Sequence, residues 1–307
     1  MNQANNVFLI TLALITTGFT VKKMGFITEK EGKIISKFLM HTTFPALMLV
    51  STINLKLEPK LFLIPLTTVV YGSILLTIAW FVFKKYPNNI RGLLTMGSSG
   101  FNTGLFAFPI IESIWGRDAL VYAIMFDIGN TVVVFGLIYS IGNYFSARGN
   151  EGVDFKAILK KVARLMPLQG LTLGLIINAL SIPVAPILVD FLDVLARGNK
   201  PIVLLLMGIY LSFELDKKQV SLVVKSLLIR YLMGAIAVIF IYNMLPHSIM
   251  RSILIVCVVL PVGLTILPFS DELNYDSRMA GLFVNLSLLI SFCLMWALVL
   301  GLNLTIF

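Results

Sequence analysis

The sequence predicts an all-α integral membrane protein: ten transmembrane helices as a 5+5 inverted repeat, with broken, crossed helices four and nine. Three observations carry that prediction. Only 13% of the 307 residues are charged while 58% are hydrophobic, against about a quarter charged in an ordinary soluble domain. Apolar stretches of roughly 20 residues, the length that crosses a bilayer as a helix, recur from end to end. Two of these stretches carry the same interruption, a glycine followed five positions later by a proline.

Taken in order, the first span covers 6–24. No basic segment precedes Val7 and no small-residue cleavage site follows a short apolar run, so it reads as a mature span rather than a signal peptide. The second, 34–54, contains Pro45 in FPALML, and the third covers 61–83. The fourth, 92–111, holds SSGFNTGLFAFPIIE, a stretch rich in helix breakers where an apolar helix is expected. The fifth, 118–145, carries Asp127 in YAIMFDIGN. The longest polar stretch, 146–164, leaves no room for a soluble domain. The second half follows with spans at 165–182, 200–214, 226–245, 251–270 and 278–303. The short seventh is preceded by 185–197, which reads as an interfacial helix bearing Asp190, Asp193 and Arg197. Arg230 lies one turn into the eighth span and is expected to snorkel to the surface.

Basic residues fall unevenly between the loops. Lys22 to Lys37, Lys84 to Arg91, Arg148 to Arg164, Lys217 to Arg230 and Arg278 share one side, which the positive-inside rule places in the cytoplasm. Both termini are then extracellular. The domains are the first five-helix repeat, 1–145, a cytoplasmic linker, 146–164, and the second repeat, 165–307. Five spans per half make the halves inverted. In register, FNTGLFAFP meets LPVGLTILP, so Gly104 aligns with Gly263 and Pro109 with Pro268. A carboxylate follows three residues after each proline, Glu112 and Asp271, and Pro45 in the second span matches Pro201 in the seventh.

Each proline removes a backbone donor and frees the carbonyl four residues earlier, Leu105 or Leu264. Each glycine lets the chain leave helical geometry. Bare backbone at membrane depth persists only inside protein or around a wet cavity, so the paired breaks point to a solute site. The alternative is a pair of structural kinks. Asp127 and Asn130 are three residues apart, hence on one helix face. Ionisable groups within spans are rare and mark cavities, partners or proton paths. Asp127 is the candidate for the coupling ion or proton and Asn130 for substrate contact; the competing role for Asp127 is a structural pair with a lysine or arginine.

The stretch FNTGLFAFPI followed by WGRDALVYAIMFDIGN resembles the auxin efflux carrier family, which includes many bacterial carboxylate permeases. KPIVLLLMGIYLSFEL and LPVGLTILPFSDEL resemble the matching parts of the second half, so the similarity covers nearly the whole chain. The resemblance implies a fold related to bile-acid/sodium symporters and elevator-type alternation of a transport domain against a scaffold. The family's crossover asparagine maps onto Asn102, which is thereby assigned to substrate contact; capping the broken helix is its other role. Thr103, Gly104 and Gly263 complete the expected binding groups, and Pro109, Pro261 and Pro268 the helix breaks. The linker is short, as in bacterial members and unlike the long loop of the plant type, and Pro261 stands where the first half has Asn102.

The expected activity is secondary active transport of a small organic anion, a carboxylate first of all, across the cytoplasmic membrane with H+ or Na+ as coupling ion. The expected surroundings are the lipid bilayer and a homodimer, without nucleic acid. No Walker motif is present, and neither H-E-x-x-H nor G-x-S-x-G occurs, so no cofactor, metal or enzyme activity is expected. A channel or sensor built on a carrier fold is the alternative, and a membrane enzyme a remote one. Cys257 and Cys293 lack metal-ligand spacing and read as small buried apolar residues.

Overall fold

A computed structural model describes residues 3–53, 55, 59–146, 156, 160, 162–211 and 217–305. Most of the predicted linker, together with Ser212 and Glu214 at the end of the predicted seventh span, lies outside the described residues. Among those described, all regular elements are helical. Six helices are long and apolar enough to cross a membrane, and two shorter apolar ones cover Thr103–Trp115 and Met166–Ala179. The helices are α1 Gln3–Lys23, α2 Glu29–His41, α3 Thr43–Ile53, α4 Leu63–Val82, α5 Asn88–Ser98, α6 Phe108–Trp115, α7 Leu120–Thr131 and α8 Tyr139–Phe145. They continue as α9 Met166–Ala179, α10 Pro186–Tyr210, α11 Lys217–Met244, α12 Ile249–Cys257, α13 Ile266–Glu272 and α14 Ser277–Gly301.

The chain divides into two compact units. The first comprises Met1–Glu58, Gly104–Val121 and Leu159–Leu211. Here α1 packs along α10, and α3 lies against α9 and α10. A methyl group added at Gly208 would overlap the Ile15 carbonyl, and one at Gly18 the Leu205 carbonyl. Close backbone approach through small residues is how helices associate without a hydrophobic driving force. Asn178 of α9 donates to the carbonyls of Ile53 and Leu55 at 2.7 and 2.9 Å, the interhelical tie expected of a polar side chain in a span. Arg117 bridges Glu112 and Asp193, and Arg197 bonds Asp193 as well. The Arg117 guanidinium holds the Asp193 carboxyl below the usual carboxylate range.

The second unit comprises Pro59–Thr103, Tyr122–Ile158 and Ser212–Phe307. Its core gathers Leu93, Leu94 and Met96 of α5, Val133, Val134 and Ile138 between α7 and α8, and Met279, Leu282 and Phe283 of α14. The α11 helix packs on α4, α5, α12 and α14.

Four expectations need correction. First, 185–197 and the seventh span form one continuous helix, α10, with Pro201 inside it. A single proline removes one hydrogen bond, and the rest of the turn holds. By contrast the chain does break near Pro45, between α2 and α3 at Thr42. Second, Arg230 does not snorkel: it is fully buried. The α11 helix starts at Lys217, so Arg230 sits mid-helix, out of reach of either end. Third, Cys293 is exposed on the outside of α14, while Cys257 is buried as expected. Fourth, the chain leaves helical geometry upstream of the carbonyls that Pro109 and Pro268 free.

Candidate functional site

Both interrupted segments are broken a few residues before their prolines. After α5 ends at Ser98, the chain runs extended through Ser99 and Gly100, whose φ of +74° suits glycine alone, to Phe101 and Asn102. A π-helical turn, Thr103–Ala107, then leads into α6, with Pro109 in its first turn. In the second segment α12 ends at Cys257, and the chain is not helical again until Ile266, so Pro268 likewise opens a helix.

Within the second unit the two breaks lie side by side. Phe101 and Val262 form an isolated antiparallel bridge, and the Asn102 N–H donates to the Pro261 carbonyl at 2.9 Å. The strand-like piece around Phe101 is held on its other side by Asn130. That side chain accepts from the Phe101 N–H and donates to the Phe101 carbonyl, both at 2.8 Å. Asn130 also donates to the Asp127 carboxylate at 3.0 Å, and the Thr103 hydroxyl bonds the same oxygen. Among the described residues no lysine or arginine pairs with Asp127. The second break is fastened by α14: Ser287 accepts from the Val262 N–H at 3.0 Å, and Ser291 donates to the Val259 carbonyl at 2.6 Å.

Asn102, Thr103, Asp127, Asn130, Pro261 and Gly263 therefore occupy one neighbourhood. Gly263 leaves little room: a methyl there would lie 3.3 Å from the Thr265 hydroxyl and 3.5 Å from the Phe101 carbonyl oxygen. Gly104 and Pro109 fall in the first unit, where Gly104 packs against the Phe44 ring. Asn102 differs from its neighbours. The residue is only 6% exposed and its side chain makes no hydrogen bond among the described residues, yet its amide atoms are not among the fully enclosed unpaired ones, so they stay open to water or a solute.

Sequence reasoning missed three groups. Arg230 sends its guanidinium to the backbone carbonyls of both breaks. Phe101 lies 4.3 Å beneath that guanidinium and stacks on Tyr71. The Ser287 and Ser291 hydroxyls close the second break. A charged residue in an apolar segment was the available signal for Arg230, but its place near an assumed helix end concealed its depth.

Residues 5–299 match the family model described as membrane transport protein. An uncharacterized transporter of Methanothermobacter thermautotrophicus is 26% identical over 223 residues, covering 69% of this chain and 70% of the relative. An uncharacterized transporter of Methanocaldococcus jannaschii is 25% identical over 217 residues, covering 67% of this chain and 68% of the relative. The match runs through both broken segments and nearly every helix, and on that ground the chain belongs to the membrane transport protein family, the auxin efflux carriers that its motifs resemble.

Proposed function

We propose that the protein is a secondary active carrier that moves a small organic anion, a carboxylate, across the cytoplasmic membrane, driven by a proton or sodium gradient. The observation that carries this reading is Asn102: an amide with no hydrogen bond among the described residues, still open to a solute, set in a break where backbone has left the helix. A carboxylate can accept from its NH2 group. Asn130 anchors the break's backbone and Asp127 together, so Asn130 acts by positioning, and Asp127 is the group that takes a coupling ion or proton.

Three further readings belong with this one. The spans number ten, as two inverted repeats, 1–145 and 165–307, joined by 146–164. The division into compact units supports that repeat. The first unit draws on spans one, two, six and seven, and the second on three, four, five, eight, nine and ten. Each unit thus takes corresponding spans from both halves, apart from Gly104–Val121. Elevator-type alternating access follows if the unit holding Asn102 carries the solute and the other is the scaffold. The scaffold helices are the proposed homodimer surface, and both termini are extracellular.

The test is thermal unfolding of the purified protein with a panel of carboxylates at acidic and neutral pH, for wild type and Asn102→Ala. A ligand at a hundredfold excess over Kd stabilises the native state by about 2.7 kcal/mol. The expected result is a rise in Tm with one class of acid, lost in Asn102→Ala. No shift with any acid in a folded sample turns the reading toward another solute or a sensor.

A further inference from the structure

A buried arginine without a carboxylate partner needs an explanation. Arg230 is fully buried, and among the described residues no Asp or Glu pairs with it. Its guanidinium is held mainly by backbone carbonyls, with the Tyr231 hydroxyl beside it. Nε donates to Leu260 at 3.1 Å, and Nη2 donates to Gly100, Leu260 and Pro261 at 2.9, 2.8 and 3.1 Å. Nη1 adds a longer bond to Ser98 at 3.4 Å, and the Phe101 ring faces the cation from 4.3 Å.

Only Ser98 belongs to a helix end; Gly100, Leu260 and Pro261 lie in the unwound pieces that follow α5 and α12. Carbonyls at a helix end or in unwound backbone have no intrahelical donor. Two such pieces brought together form a cluster of backbone oxygens inside the protein, the ligand type that holds a dehydrated alkali cation in channels and carriers. Here the cluster already contains a positive charge tethered to α11.

We infer that Arg230 is the resident cation of the paired breaks, taking the place of a dissolved sodium ion at their carbonyl ends. Two consequences follow. No alkali cation is needed to assemble this site, so sodium does not couple through it. A permanent positive charge beside Asn102 also sets the sign of the cargo: it favours an anion and repels a cation. The second consequence rests on the carrier reading above; the first does not. Arginine suits the role because its planar fork reaches several carbonyls at once and stays charged when buried. A lysine offers three donors from one point.

The first consequence is tested on purified full-length protein by thermal unfolding in sodium chloride and in choline chloride at equal ionic strength. Asp127→Asn, which removes the other candidate cation group, is expected to melt at the same temperature in both. Arg230→Ala is expected to melt lower, and to recover part of the loss in millimolar guanidinium but not in choline. A sodium-specific rise in Tm that persists in Asp127→Asn, and so does not come from a cation at Asp127, overturns the inference. So does an Arg230→Ala protein that melts like wild type, or one that guanidinium does not help. If Arg230→Ala does not fold, Arg230→Lys replaces it: the ammonium should fold the protein with a lowered Tm, and equal stability of the two overturns the role of the fork. Failure of the carboxylate screen with these cation results intact would sink the carboxylate reading and leave Arg230 as the resident cation.

Discussion

Asn130 uses its whole amide. One end accepts from and the other donates to the backbone of Phe101, and the NH2 group also reaches Asp127. Asn130→Ala strands two buried backbone groups, each costing about 1–3 kcal/mol. A clear drop in Tm is expected, without rescue by ligand. Asp127→Asn should behave differently. The new side chain keeps an oxygen for Asn130 and the Thr103 hydroxyl, so the fold survives while the exchangeable proton is lost. The expected result in proteoliposomes is a Tm close to wild type with pH-dependent uptake of the stabilising carboxylate abolished; unchanged pH-dependent uptake removes the role from Asp127. The i, i+3 spacing made this pair legible in the sequence. Arg230 was not legible, because its depth depends on where α11 begins. The beginning at Lys217 is polar and lay outside any hydropathy window.

The apolar lengths of the elements made the helices legible, but not their continuity. Charges on 185–197 suggested an interfacial helix separate from a span, yet α10 runs unbroken past Pro201. Proline marked the broken segments correctly and their break points a few residues late, since a first-turn proline suits a helix and the chain opens upstream. Contacts between helices leave a fainter trace. Gly18 and Gly208 sit where α1 and α10 meet backbone to backbone. Gly208→Leu must push Ile15's main chain aside, so its cost should reach or exceed the about 1–3 kcal/mol of ordinary overpacking. Gly281 on α14 is the control, because a methyl there meets nothing within 4 Å. Gly281→Ala should leave Tm unchanged or raise it, the latter by the helix preference of about 0.5–1 kcal/mol. Equal effects of the two substitutions in thermal unfolding would mean that α1 and α10 do not touch at Gly208.

At the scale of the whole molecule, the count and direction of spans connect the site to transport. The proposed orientation has Lys84 and Lys85 in the cytoplasm and the turn after α9, at Ser181, outside. On the ten-span proposal the fourth, fifth and sixth spans lie between these points, an odd number, so the two positions face opposite sides. Six helices are long and apolar enough to cross, and α9, with 14 residues, is not one of them. A crossing by α9 therefore depends on its packing against α3, where Gly170 and Gly174 face the backbone of Pro45 and Leu49. Single cysteines decide the matter. Both Lys85 and Ser181 are exposed, and the native Cys257 and Cys293 can be replaced first. With a membrane-impermeant maleimide, Ser181→Cys should label in intact cells and Lys85→Cys only after permeabilisation. Labelling of both from one side would mean an even number of spans between them, which breaks the five-helix repeat. The reverse pattern would keep the repeat and invert the orientation.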